Sequence, residues 1–147
     1  MSPQVMRFFT LVGIALAAAS FQLKARAEML PEPDVQMVRA VILAQLKAFS
    51  EDDAEAAFDT ATPEVRKSFG QASRFLALVR GNYPMVYRAA GFGFLAPALD
   101  KGQVLQVIAL RDADDKTWLA LFSLERQPDM SWRIGRFIVV ENDWRST

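Results

Sequence analysis

"RGNYPMVYR", residues 80–88, decides the fold, because the spacing of apolar residues differs on its two sides. Before it they recur every three to four positions, and beyond Pro84 every second position, so the chain passes here from helices to strands. Gly81 and Asn82 end a helix, Pro84 drives Tyr83 into an extended conformation, and residues 86–88 are expected to enter the first strand. The composition of a joint accounts for the stretch. A place at a cavity rim would in addition make Tyr83, Tyr87 and Arg88 ligand-binding candidates.

Upstream, "VQMVRAVILAQLKAFS" (35–50) sets Val35, Val38, Ile42, Leu46 and Phe49 on one helical face, with Gln36, Arg39 and Lys47 available to the other. Pro31 and Pro33 keep residues 28–33 an extended leader, and Asp34 is expected to cap the helix. The acidic turn "EDD" (51–53) precedes a short helix around Ala56–Ala57–Phe58, since carboxylates favour the positive end of a helix dipole. Thr62, Pro63 and Glu64 read as N-cap, first-turn proline and first-turn acid of a third helix closed by Gly70. A fourth, at 73–80, carries Phe75, Leu76, Leu78 and Val79.

Downstream, four strands are expected at 87–96, 104–111, 118–126 and 132–141, joined by hairpin-length connections into an antiparallel meander. Helices first and strands after specify an α+β fold, with N-terminal helices packed on one face of a curved four-stranded sheet. Gly91 and Gly93 on one side of the first strand mark a bend. In "TWLALFSLE" Trp118, Ala120, Phe122 and Leu124 oppose Leu119 and Leu121; in "WRIGRFIVVE" Phe137 and Val139 oppose Ile134, Ile138 and Val140. A sheet with one wet face should alternate apolar with polar residues. The second face is therefore expected to be covered, either by the C-terminal segment and loops or by a second copy packed sheet to sheet.

The 147 residues suit one domain, placed at 34–142, with a tail at 143–147. Arg7, the uncharged run "FFTLVGIALAAASF" (8–21) and Ala25–Arg26–Ala27 have the grammar of a signal peptide cleaved after residue 27, which predicts a periplasmic or secreted protein with no membrane attachment after cleavage. The run is shorter than the roughly 20 residues a membrane span needs, although a retained anchor is the competing reading. Cleavage removes three basic residues and no acid, leaving a net charge of about −3, which argues against nucleic acid as partner. With no cysteine, stability must come from the core alone.

The order of elements resembles the nuclear-transport-factor-2-like superfamily, the cystatin-like α+β cone that includes ketosteroid isomerase and polyketide-cyclase relatives. The wording "AQLKAFSEDDAEAAFDTATPEVRKSFG" (44–70), "YPMVYR" (83–88) and "LERQPDMSWRI" (124–134) is similar to that of a family of exported bacterial proteins known only as domain-of-unknown-function family 4864. In isomerase-like members of the superfamily a carboxylate base and a tyrosine or protonated acid face the mouth of the cone, so the resemblance implies a place to look for chemistry but no assigned activity. One departure concerns "PDMS": the position after Pro128–Asp129 usually holds glycine, and here it is Met130.

Without histidine or cysteine, Ser–His and Cys–His nucleophiles and thiolate or imidazole metal sites are closed. "DADDK" (112–116) lacks the glycine and distal glutamate of a calcium loop and reads as a solvated hairpin tip. Asp59 is the one acid set among small apolar residues, as a base or as a capping residue. Trp118 can serve core, interface or pocket wall. Arg136, inside the last strand on the parity of Ile134 and Ile138, could hold a carboxylate if that face is concave. The expectation is an exported, non-catalytic domain without cofactor or metal, binding a small apolar ligand in the cone or a second copy through the sheet. Its ligand candidates are Tyr83, Tyr87, Arg88, Trp118 and Arg136. The alternative is an isomerase- or cyclase-like enzyme using a cavity carboxylate and a tyrosine.

Overall fold

The computed structural model describes residues 29–143; the signal-peptide reading of residues 1–27 and all but the first residue of the expected tail at 143–147 lie outside the described residues. Five helices come first: α1 (Glu32–Ser50), α2 (Ala54–Asp59), α3 (Pro63–Phe69), α4 (Ala72–Asn82) and α5 (Pro84–Tyr87). Five strands follow: β1 (Gly91–Phe94), β2 (Ala98–Asp100), β3 (Gln103–Arg111), β4 (Thr117–Arg126) and β5 (Trp132–Glu141). The fold is α+β, with helices on one face of an open antiparallel sheet.

The capping chemistry explains most helix starts. Asp53 accepts from the Ala56 amide at 3.1 Å to open α2, and Thr62 accepts from the Val65 amide at 3.3 Å to open α3. α1 corrects the expectation for its start. It begins two residues before Asp34, with Pro33 in the first turn, where a missing N–H removes only a donor that has no helical partner anyway. Asp34 is instead a tertiary anchor: its carboxylate pairs with Arg126 and accepts from the Trp132 indole N–H at 3.4 Å, and the Arg126 guanidinium lies 4.8 Å from the Trp132 ring centre.

The joint is also corrected. Tyr83 leaves the helical region (φ −133°, ψ 58°), as a residue before proline should, but residues 84–87 then form a further helical turn instead of entering a strand. Pro84 occupies the first position of that turn, where its fixed φ is already helical; the Tyr87 amide donates to the Tyr83 carbonyl at 2.9 Å and the Arg88 amide to the Pro84 carbonyl at 2.9 Å.

The sheet has five strands where four are expected. β1 and β2 lie end to end along the same edge of β3, so the expected strand at 87–96 is short and interrupted. The gap is at 95–97, where Pro97 lacks an N–H for the ladder. The fully buried Gln106 side chain bridges it, its amide donating to the Leu95 carbonyl at 2.6 Å and the Val107 carbonyl at 3.0 Å. β2 turns into β3 through Lys101 (φ 52°) and Gly102 (φ 81°), two consecutive left-handed residues that match the twist of a two-residue hairpin.

β3, β4 and β5 form the expected meander. The register between β4 and β5 slips at one place: Ser123 pairs with Arg136 and Leu124 with Ile134, so Gly135 is an extra residue, a β-bulge. A side chain there would meet Glu125, since a Cβ at 135 would stand 2.7 Å from Glu125 Oε2. The bulge reverses side-chain parity along β5. Ile134 faces the helices with Phe137 and Val139, while Arg136, Ile138 and Val140 face away; the expectation that Ile134 and Arg136 share a face is overturned by that single inserted residue. Beside the bulge the segment between α2 and α3 runs parallel to β5, with the Ile134 amide donating to the Thr60 carbonyl at 2.8 Å and the Thr62 amide to the Ile134 carbonyl at 3.0 Å.

Helices and sheet share one core, in which Val38, Ile42, Phe49, Val79, Val104, Ile108, Phe122 and Leu124 are fully buried. At the β4–β5 turn Met130 takes a left-handed conformation (φ 72°) and is 57% exposed, so its side chain offsets little of the backbone strain. Met130→Gly is expected to stabilise the fold by roughly 0.5–1 kcal/mol, read as a higher midpoint of urea unfolding with an unchanged slope.

Candidate functional site

Aromatic rings pack between the helices and the sheet. Phe49 packs on Phe75 (centroids 5.8 Å) and Tyr87 (6.3 Å), Phe75 also meets Phe58 (5.8 Å) and Phe69 (5.3 Å), and Tyr83 stands edge-on to Phe137 (5.0 Å), which lies on Phe122 (5.4 Å). Tyr83 and Tyr87 are thus parts of the packing between joint and core. Arg88, next to them, donates to the Ser50 carbonyl at 2.8 Å and pairs with Asp52 at 3.0 Å, tying the joint to the end of α1. More than half of each partner's side chain is exposed, so that pair positions the chain more than it stabilises it.

The other two candidates lie elsewhere. Trp118 projects from the inner face of β4, where its indole N–H donates to Asp112 Oδ2 at 3.0 Å and Lys116 Nζ stands 4.9 Å from its ring centre. Asp112 Oδ1 accepts from the amides of Asp114 (2.9 Å) and Lys116 (3.0 Å), so one carboxylate organises the β3–β4 turn. Those bonds, the Trp118 one foremost, hold the Asp112 carboxyl below the usual carboxylate range. Arg136 is exposed on the outer face of the sheet, because the bulge places it opposite Ser123 and away from the helices. The five candidates therefore do not converge on one site.

Asp59 is exposed, and no aspartate or glutamate among the described residues is buried. The described residues also hold no cluster of three or more His, Cys, Asp or Glu side chains able to hold a metal ion. Asp59 therefore stands at the surface, whereas the isomerase alternative places its carboxylate within the cone.

The outer face of the sheet is a more coherent feature. Leu105, Val107 and Ala109 of β3, Leu119 and Leu121 of β4, and Ile138 and Val140 of β5 all project from it, extended by Leu95, and Ile138 and Val140 are 47% and 53% exposed. Polar residues collect at one end: Ser123, whose hydroxyl donates to Gln103 Oε1 at 2.9 Å, with Glu125 and Arg136. At the opposite end a depression of about 410 Å³, lined by Phe92, Leu110, Arg111, Thr117 and Asn142, shares Gly91 and Ala109 with this face.

A family model described as a domain of unknown function, DUF4864, matches residues 31–147. The chain belongs to the DUF4864 family. No curated protein matches it. The match takes in every helix and strand from α1 to β5, so the bulge, the joint and the apolar face all fall within this DUF4864 domain.

Two arginines escaped the sequence reading. Arg66 of α3 and Arg133 of β5 line a second depression with Gln127 and Ser131, although they are far apart in the chain; their approach follows from the pairing of Thr62 with Ile134, which has no local signal. Because the folded Asp112 carboxyl titrates below its unfolded value, its contribution is present above the ordinary aspartate value and is lost as pH falls through the lowered one. Asp112→Asn is expected to flatten the loss of thermal stability below about pH 4, measured by circular dichroism melts against the parent chain.

Proposed function

We propose that this domain is an exported pairing module that associates with a second copy of itself through the outer face of the sheet. The observation that carries the reading is the apolar character of that face on β3, β4 and β5 together, with Ile138 and Val140 about half exposed. Isolated exposed apolar residues are ordinary, but a contiguous patch crossing adjacent strands favours an interface. A footprint four strands wide and about nine residues long covers roughly 500–600 Å², and side-chain relief raises the accessible area toward the roughly 800 Å² per partner of a standard interface. Glu125 and Arg136 share the polar end, so a two-fold axis can set one copy's acid against the other's base.

Export is supported by the charged, apolar and small-residue succession at 1–27, and no helix among the described residues is long and apolar enough to cross a membrane. Assignment to the nuclear-transport-factor-2-like superfamily rests on the order of elements. A small apolar ligand is the second reading, favoured by the depression beside Phe92 and Asn142 rather than by the interior, where aromatic rings are packed together. A second copy covering the outer face would border that depression through Gly91 and Ala109.

Sedimentation equilibrium of residues 28–147 is expected to give the mass of a dimer. Leu121→Arg, in the middle of the patch, is expected to weaken association by roughly 100-fold while leaving the far-UV circular dichroism unchanged. A monomer for the unsubstituted chain at high micromolar concentration overturns the proposal.

A further inference from the structure

We propose that the depression between α3 and the β4–β5 turn is a binding site for a small organic carboxylate, held between Arg66 and Arg133. The depression has a volume of about 280 Å³. This is near the lower end of small-molecule sites, room for a ligand of a few carbons rather than a cofactor. Its polar side chains are Arg66, Arg133, Gln127, Ser131 and Asp129, and the rings of Pro63 and Pro128 supply apolar wall.

Charge is the first argument. Arg88, Arg111 and Arg126 each have a carboxylate within ion-pairing distance. Among the described residues neither Arg66 nor Arg133 has one, and both are half-buried. Arg133 spends one N–H on the neighbouring Trp132 carbonyl at 3.3 Å, leaving most of its donors free. Asp129, the one acid at the rim, has Oδ1 turned back on its own loop, accepting from the Ser131 amide at 2.9 Å and from the Ser131 hydroxyl, and it attracts Arg133 from beyond ion-pairing distance. Two guanidinium groups against one carboxylate leave the depression cationic, on a chain with no overall positive charge.

Geometry is the second. A guanidinium is a planar fork matched to a carboxylate, and two from different elements can bind both its oxygens, which a lone exposed lysine cannot do. The elements are fixed relative to each other: α3 starts at Thr62, whose amide is bonded to Ile134, the residue after Arg133. Gln127 is oriented by its own bond to the Glu125 carbonyl at 3.2 Å. The proline rings favour an organic acid over a bare oxoanion, since they offer contact to carbon and no hydrogen bond. The site does not depend on pairing through the outer face.

The test is ¹⁵N NMR of the purified protein titrated with succinate, benzoate and inorganic phosphate at low ionic strength, following the arginine side-chain N–H signals and the amides of residues 127–133. Saturable shifts by succinate or benzoate are expected at Arg66 and Arg133, with affinity falling about tenfold or more in Arg66→Gln and in Arg133→Gln while the remaining spectrum stays dispersed. Arg74→Gln, a surface substitution outside the depression, should leave the affinity unchanged. Absence of saturable shifts, shifts equal in all three variants, or phosphate binding as tightly as the carboxylates would each overturn the proposal.

Discussion

The rest of the molecule depends on a short parallel pairing, in which Thr60 and Thr62 bracket Ile134 with two backbone hydrogen bonds beside the Gly135 bulge. The segment is held from the other side as well. Gln45 of α1, fully buried, donates to the Thr60 hydroxyl at 2.9 Å, and that hydroxyl donates to the Ala57 carbonyl at 2.6 Å. One three-residue stretch thus couples the long helix, the two short helices and the last strand. A buried polar chain of this kind is costly to disrupt, because each group left behind would lose its partner without regaining water. It also covers the edge of β5 where an unpaired backbone would otherwise invite association.

From that pairing follows the division of the sheet into two unlike faces. The bulge turns Ile134 inward and sends Arg136, Ile138 and Val140 outward, so β5 presents the same outer apolar character as β3 and β4. Without the inserted residue the strand would alternate in one phase throughout, and either Ile134 or Phe137 would leave the core. A side chain at 135 would stand against the end of the Glu125 side chain, which would have to move aside to admit it. The price of an irregular ladder is local, and its effect on which residues face away from the helices extends over half a strand.

Local chemistry made much of the helical layer legible. Asp53, Thr62 and Pro63 act through the first turn of the helices they open, within three residues of themselves, so their roles could be read without the fold. The long alternating runs of β3, β4 and β5 were legible for a related reason, since period-two burial is written along each strand. Proline was read in only one of its senses. Pro84 blocks the helix before it and favours the first position of the next, and the sequence alone does not say which wins; packing of Tyr87 on Phe49 favours the helical turn. The interruption after Phe94 was missed because Lys101, which has a side chain, takes a left-handed conformation next to Gly102, and because the donor that bridges the gap is a glutamine eleven residues from the carbonyl it serves.

The site was less legible than the fold for a physical reason that the arginines illustrate. Arg88 sits in a conspicuous stretch, and its conspicuousness has a structural cause: it closes the end of α1 through the Ser50 carbonyl and Asp52. Arg66 and Arg133 sit in unremarked positions of a helix and a strand, and become a pair only when Thr62 docks beside Ile134. Aromatic and charged residues in a joint are used up by the joint, whereas charges available to a ligand are those that folding brings together and leaves unpaired. For a chain with neither histidine nor cysteine, whose buried groups include no acid among the described residues, that remainder is the place where recognition can reside.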